Sequence, residues 1–152
     1  MAESYRCVVA TPTRELFAGD VYYANVPGYD GHYGVLKGHE SLVATNHQGG
    51  KLVLWLDEEG KETKTFLLHM GCTQMLHDHL AVLGRFGCDV DAIDVDEVRG
   101  KAEKLSARID EMKAAEGENE ALKAEIDAEE IHLSWYQAQI EYATTGKESY
   151  KQ

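Results

Sequence analysis

The residues of this 152-residue chain with the widest chemical repertoire are its seven histidines and three cysteines. His77 and His79 flank Asp78, with His69 not far upstream. A His-x-His pair on a strand turns both rings to one face, an arrangement that can chelate zinc. A zinc site needs a third or fourth ligand, and the spacing declares none, so no metal is expected and the segment reads as a hairpin turn with solvated imidazoles. Cys7 and Cys72 are the candidate nucleophiles, but no activating motif surrounds either, and small-residue packing accounts for them. Cys7, Cys72 and Cys88 form no closely spaced pair and are odd in number, which points to reduced thiols in a cytosolic compartment. No catalytic residue emerges from this inventory.

The stretch that must be positioned is instead Val26 to Leu42, where four glycines (Gly28, Gly31, Gly34, Gly38), Pro27 and two histidines (His32, His39) fall between strand-like segments. Such glycine density argues for a tightly shaped path rather than a linker. Around it, short apolar runs alternate with turn signals from Tyr5 to about residue 90. Lys51 to Leu56 is apolar on both faces and reads as a central strand. Asp57 to Lys61 reads as a charged hairpin tip, Met70-Gly71 as a break, and His77-Asp78 as a tight turn. Eight to ten short strands at this spacing predict an antiparallel sandwich or flattened barrel over residues 1–90, of which the sandwich is the expected form.

Beyond Asp91 the apolar period changes from two to about 3.6. Val95, Val98, Ala102, Leu105, Ile109 and Met112 draw one stripe, with Asp94 or Asp96 placed to cap its start. A stop follows at Ala114-Ala115-Glu116-Gly117. Leu122, Ile126, Leu133, Tyr136, Ile140 and Ala143 draw a second stripe, with Glu129 at one seam position and Trp135 beside it. Neither helix buries its stripe alone, so residues 91–152 are expected to form an antiparallel two-helix hairpin, and the fold class is α+β. Gly146 to Gln152 is polar and reads as a frayed end.

The formal charge is −12, and residues 91–152 are the more acidic part, with 16 acidic residues against 8 basic ones. That balance disfavours a phosphate backbone or an anionic lipid surface as partner. No stretch approaches the roughly 18 apolar residues needed to span a bilayer, and the start shows no leader pattern, so a soluble, unexported protein is expected.

Thr11-Pro12, Phe17-Ala18-Gly19-Asp20-Val21, Val26-Pro27-Gly28, Gly31, Gly34-Val35-Leu36, Gly38-His39 and Leu42 stand in an order and spacing that resembles the epsilon subunit of the F-type ATP synthase. Met70-Gly71 and Leu80 to Gly84 resemble that family's later strands, and Val95-Asp96-Glu97-Val98-Arg99 resembles the opening of its helical hairpin. The resemblance covers nearly the whole chain, and the glycine loop is its most specific piece.

The resemblance implies a non-catalytic rotor part that touches a gamma subunit and the ring of membrane-embedded c subunits, at the cytoplasmic face of the cell membrane and bound to the membrane only through the complex. It carries the partner-contact positions onto Asp30, His32, Gly38 and His39. A stiff loop on a sheet scaffold suits that work, because little order is lost on contact. It also implies a regulatory hairpin that can extend toward the catalytic head subunits and obstruct ATP hydrolysis. In some members ATP binds the folded hairpin through a motif that Asp96 and Arg99 match here. Gly100 replaces that motif's alanine, and Ser106 stands where a later arginine is expected, with Arg108 two places on. Asp96 and Arg99 serve better as a helix-start carboxylate and a solvated or ion-paired cation, so no cofactor is expected and ATP stands only as a regulatory ligand that the resemblance implies.

Two departures stand out. Lys37-Gly38-His39-Glu40-Ser41 replaces the family's Pro-Gly-His-Ala-Pro, which removes two rigid residues. From Gly117 to Thr145 there is one basic residue, Lys123, against Glu118, Glu120, Glu125, Asp127, Glu129, Glu130 and Glu141, so inhibition through contact with acidic catalytic subunits should be weak. Beside this reading stands a free-standing small-molecule or metal-binding sandwich, supported by the scattered His and Cys residues.

Overall fold

The computed structural model describes residues 3–115, 117 and 119–148. The described residues divide into two compact units, one running to Ala92 and including Glu148, the other spanning Ile93–Lys147.

Among the described residues the first unit holds ten strands, β1 (Tyr5–Thr11), β2 (Arg14–Val21), β3 (Tyr23–Gly28), β4 (Gly31–Val35), β5 (Leu42–Thr45), β6 (Gly50–Trp55), β7 (Thr63–His69), β8 (Cys72–Leu76), β9 (His79–Leu83) and β10 (Phe86–Asp89). They form two five-stranded sheets, in the orders β2-β1-β9-β8-β5 and β10-β7-β6-β3-β4. Pairing is antiparallel except between β1 and β9, which run parallel with Arg6 opposite His79 and Ala10 opposite Leu83. The parallel pair arises because the chain leaves the first sheet after β2, builds β3 and β4 in the second, and returns only later.

Alternation decides which side chains enter the core. Tyr5, Cys7 and Val9 of β1, Leu52 and Leu54 of β6, and Leu80 and Val82 of β9 are all buried, each contributing on the order of 1.5–3 kcal/mol for a large aliphatic group. β6 lies at the centre of its sheet, which explains why Val53 and Trp55 on its other face are also half-buried. Two breaks use left-handed backbone at ordinary residues. Met70 has φ 63° ahead of Gly71, and His77 and Asp78 have φ 50° and 59°, the two-residue geometry that matches the twist of a β-hairpin. His77 is therefore in the turn and only His79 on a strand, so the two rings do not share a strand face as a chelating pair requires. Among the described residues no group of three or more His, Cys, Asp and Glu side chains could hold a metal ion.

The second unit is the hairpin of α1 (Val95–Ala115) and α2 (Glu120–Thr145). The start of α1 is capped by Asp94, whose Oδ1 accepts from the Glu97 N–H at 3.2 Å, which decides between the two candidate caps. Asn119 caps α2 by accepting from the Leu122 N–H at 3.2 Å, and Gly146 closes it in the left-handed conformation. Gly117 has φ 50° as the stop requires, while Glu116, Glu118 and residues 149–152 lie outside the described residues. Leu105, Ile109 and Ile126 form the buried seam, with Met112, Leu122, Leu133 and Tyr136 packed on it. The second half of α2 departs from the single stripe. Trp135, Ala138 and Gln139 are buried there, while Ala143 is exposed. The helix thus carries a second buried line, which the apolar spacing hides because one of its members is a glutamine.

Candidate partner-contact site

The glycine stretch is three pieces of structure. Val26 to Gly28 complete β3, β4 returns beside it with Gly28 opposite Gly31 and Ala24 opposite Val35, and Leu36–Ser41 carries the chain across to β5 in the other sheet. β4 and β5 are both edge strands of their sheets, so the stretch forms one margin of the sandwich. Some of its glycines serve packing. A Cβ at Gly34 would lie 2.7 Å from the ring of Tyr23, which itself packs on Trp55 with centroids 4.8 Å apart.

The four candidate contact residues fall into two groups. Asp30 is exposed at the β3–β4 tip, and His32 follows on β4. Gly38 and His39 lie in the β4–β5 loop, beyond the far end of β4, which at about 3.3 Å per residue separates the groups by roughly 15 Å. His32 Nε2 lies 2.8 Å from both carboxylate oxygens of Glu148. The His39 N–H donates to the Leu36 carbonyl at 3.1 Å, and His39 Nδ1 lies 2.7 Å from the Glu40 carbonyl, which fixes Nδ1 as the protonated nitrogen.

Around the tip, Gly28, Tyr29, Asp30, Gly31 and Tyr33 face Val43, Ala44 and Thr45 across an open cleft of about 560 Å³. Tyr29 and Val43 are 69% and 77% exposed, the highest values among the large apolar side chains of the described residues. The loop end is tied differently: the Gly38 N–H donates to Asp78 Oδ1 at 2.8 Å, and Lys37 Nζ lies 3.1 Å from Glu3 Oε2. Asp78, Glu3, Tyr29 and Val43 were not singled out by the sequence. Asp78 reads there as a turn residue, and its partner is forty positions away.

The remaining candidates sit elsewhere. Asp96 is exposed in the first turn of α1 and Arg99 is exposed at the start of the second. Further along the hairpin, Lys101, Lys104, Leu105 and Arg108 of α1 and Glu129, His132 and Tyr136 of α2 line a groove of about 340 Å³. Cys7 is fully buried, and burial pushes its thiol up to about 12. Cys88 is pushed up to about 12 as well, by burial, against the opposing effect of Arg14. Neither supplies a thiolate at neutral pH.

The class of protein that the fold defines is a ten-stranded β-sandwich with an exposed apolar margin, followed in the chain by a two-helix hairpin. The beta-sandwich domain of the ATP synthase delta/epsilon chain matches residues 4–86. The ATP synthase epsilon chain of Maricaulis maris is 32% identical over 120 residues, covering 79% of this chain and 85% of that one. That of Sulfurihydrogenibium is 28% identical over 136 residues, covering 90% and 99%. A chain of the Euglena gracilis mitochondrial ATP synthase structure shares the fold, with a TM-score of 0.58 at 18% identity over 89% of this chain and 78% of that one. The chain belongs to the ATP synthase epsilon chain family.

Proposed function

We infer that the chain is the non-catalytic central-stalk subunit of an F-type ATP synthase, joining a gamma-type subunit to the ring of c subunits during proton-driven ATP synthesis. One observation carries the reading: the family's sandwich domain spans residues 4–86 and so contains the whole glycine stretch, whose tip and loop form one margin of the sandwich. Asp30 and His32 at the tip, and Gly38 and His39 in the loop, are the residues assigned to contact with the ring and the gamma-type subunit. The catalytic head is the partner of the hairpin, which is the regulatory element.

No helix among the described residues is long and apolar enough to cross a membrane. Attachment at the cytoplasmic face of the cell membrane through the assembled complex accords with this reading. Co-expression with a gamma-type subunit tests it. A stable complex is the expected result, whereas stoichiometric zinc and no partner would return the chain to the free-standing sandwich reading.

A further inference from the structure

We propose that Asp78 is the positioning residue that holds the β4–β5 loop in its contact-ready shape, through its carboxylate on the Gly38 N–H. The inference rests on the reading of that loop as a contact surface. The loop begins with a tight turn in which the His39 N–H donates to the Leu36 carbonyl and Gly38 has φ 81°. That is the pattern of a type II turn with Lys37 and Gly38 at its centre. A Cβ at Gly38 would meet nothing within 4 Å, so glycine is there for its conformation and not for room.

A type II turn uses the amide after its central pair and leaves the second central N–H outside the turn's own bonding. Here the outer group is the Gly38 N–H, and Asp78 Oδ1 accepts it at 2.8 Å. A carboxylate acceptor makes this stronger than a neutral contact. Asp78 is itself anchored, because its carbonyl accepts from the Arg6 N–H of β1 at 3.2 Å and its left-handed turn joins β8 to β9. The loop, contributed by the margin of both sheets, is thus fastened to the middle of the β2-β1-β9-β8-β5 sheet. Besides this bond, the loop backbone is held locally by the His39 N–H on the Leu36 carbonyl and by His39 Nδ1 against the Glu40 carbonyl, neither of which ties it to another part of the sandwich. Lys37 has an exposed ion pair with Glu3, and such pairs restrain little.

The experiment compares wild type, Asp78→Gly and Asp78→Asn in the full chain. Glycine removes the acceptor while relieving the left-handed backbone, so the turn itself is retained. Asparagine keeps an acceptor oxygen and tolerates the same conformation. Amide hydrogen exchange is followed by NMR in the isolated chain, and affinity is measured for a rotor assembly of gamma-type subunit and c ring in nanodiscs. The expected result is at least tenfold faster exchange at Gly38 in Asp78→Gly, unchanged exchange in β6, affinity weakened about five- to tenfold, and partial rescue of both by Asp78→Asn. Unchanged exchange at Gly38 overturns the proposal, as does faster exchange with unchanged affinity. If wild type itself does not bind the assembly, the contact reading fails and the proposal falls with it, a result distinguished from the others by the exchange data on the isolated chain.

Discussion

Thr73 Oγ1 donates to Asn46 Oδ1 over 2.6 Å, with both side chains withdrawn from water. Asn46 Nδ2 in turn donates to the Leu83 carbonyl at 3.0 Å, so one side chain just past β5 is tied to β8 and to the end of β9. Replacing Thr73 by valine keeps the shape and removes the donor. A buried acceptor left without its partner costs about 1–3 kcal/mol, and each kcal/mol is worth about 4–8 °C of melting temperature in a unit of this size. Thermal denaturation of Thr73→Val should show that loss. A melting temperature equal to wild type would mean the bond contributes nothing net.

The tip between β6 and β7 predicts an acid limb. Burial acts to raise the Asp57 carboxyl, but the N–H groups of Lys61, Glu62, Glu59 and Gly60 outweigh it and hold the group below its ordinary value. A carboxylate lowered in the folded state stabilises above its unfolded pKa, about 3.9, and that contribution is lost as pH falls through the folded value. Asp57→Asn should therefore melt lower than wild type at pH 7, with the gap closing below about pH 4. A gap that stays constant from pH 7 to pH 3 would remove the carboxylate from the account.

The hairpin bears on regulation. Lys113 Nζ lies 2.9 Å from Glu130 and Arg108 lies 3.6 Å from Glu125, so acidic residues of α2 are partly matched by cations of α1 and few basic groups remain for an acidic partner. Removing residues 93–152 from reconstituted head complexes should raise ATP hydrolysis less than about twofold. A large rise on truncation would show that the hairpin inhibits through some other surface.

Nucleotide binding to the hairpin is expected to be absent. Of the cations lining its groove, Lys101 lies 3.1 Å from Glu97 and Arg108 is paired with Glu125, while Glu129 lines the same groove. A phosphate there would displace two ion pairs and face a like charge. ATP at millimolar concentration should leave the melting temperature of the full chain unchanged. A ligand at 100 times its dissociation constant stabilises by about 2.7 kcal/mol, so a rise of several degrees would reverse this conclusion.

Much of the fold was readable because its signals are local. Strand alternation from Tyr5 to Leu83, the left-handed pair His77-Asp78 and the stripe from Val98 to Ile109 each depend on neighbours a few residues apart. Partners across the sandwich were not readable. Nothing in the spacing joins Gly38 to Asp78 or Asn46 to Thr73, and nothing near Arg6 announces a parallel neighbour at His79. The glycine stretch could be recognised as shaped, but its division into a tip and a loop separated by the length of β4 depends on where β4 pairs, and that is set by β3. Gln139 was missed for a different reason: burial of a glutamine leaves no apolar signature.

The parallel pairing of β1 with β9 also sets an order of events during synthesis. Arg6 leaves the ribosome roughly seventy residues before His79, an interval of about 4–15 s at ordinary translation rates. Through that interval β1 has β2 on one side and an open row of backbone groups on the other, the template that stray strands pair with. The first sheet closes only when the ninth strand arrives. The nascent chain is therefore most exposed to chaperones, and to its own misfolding, before its last few strands are made.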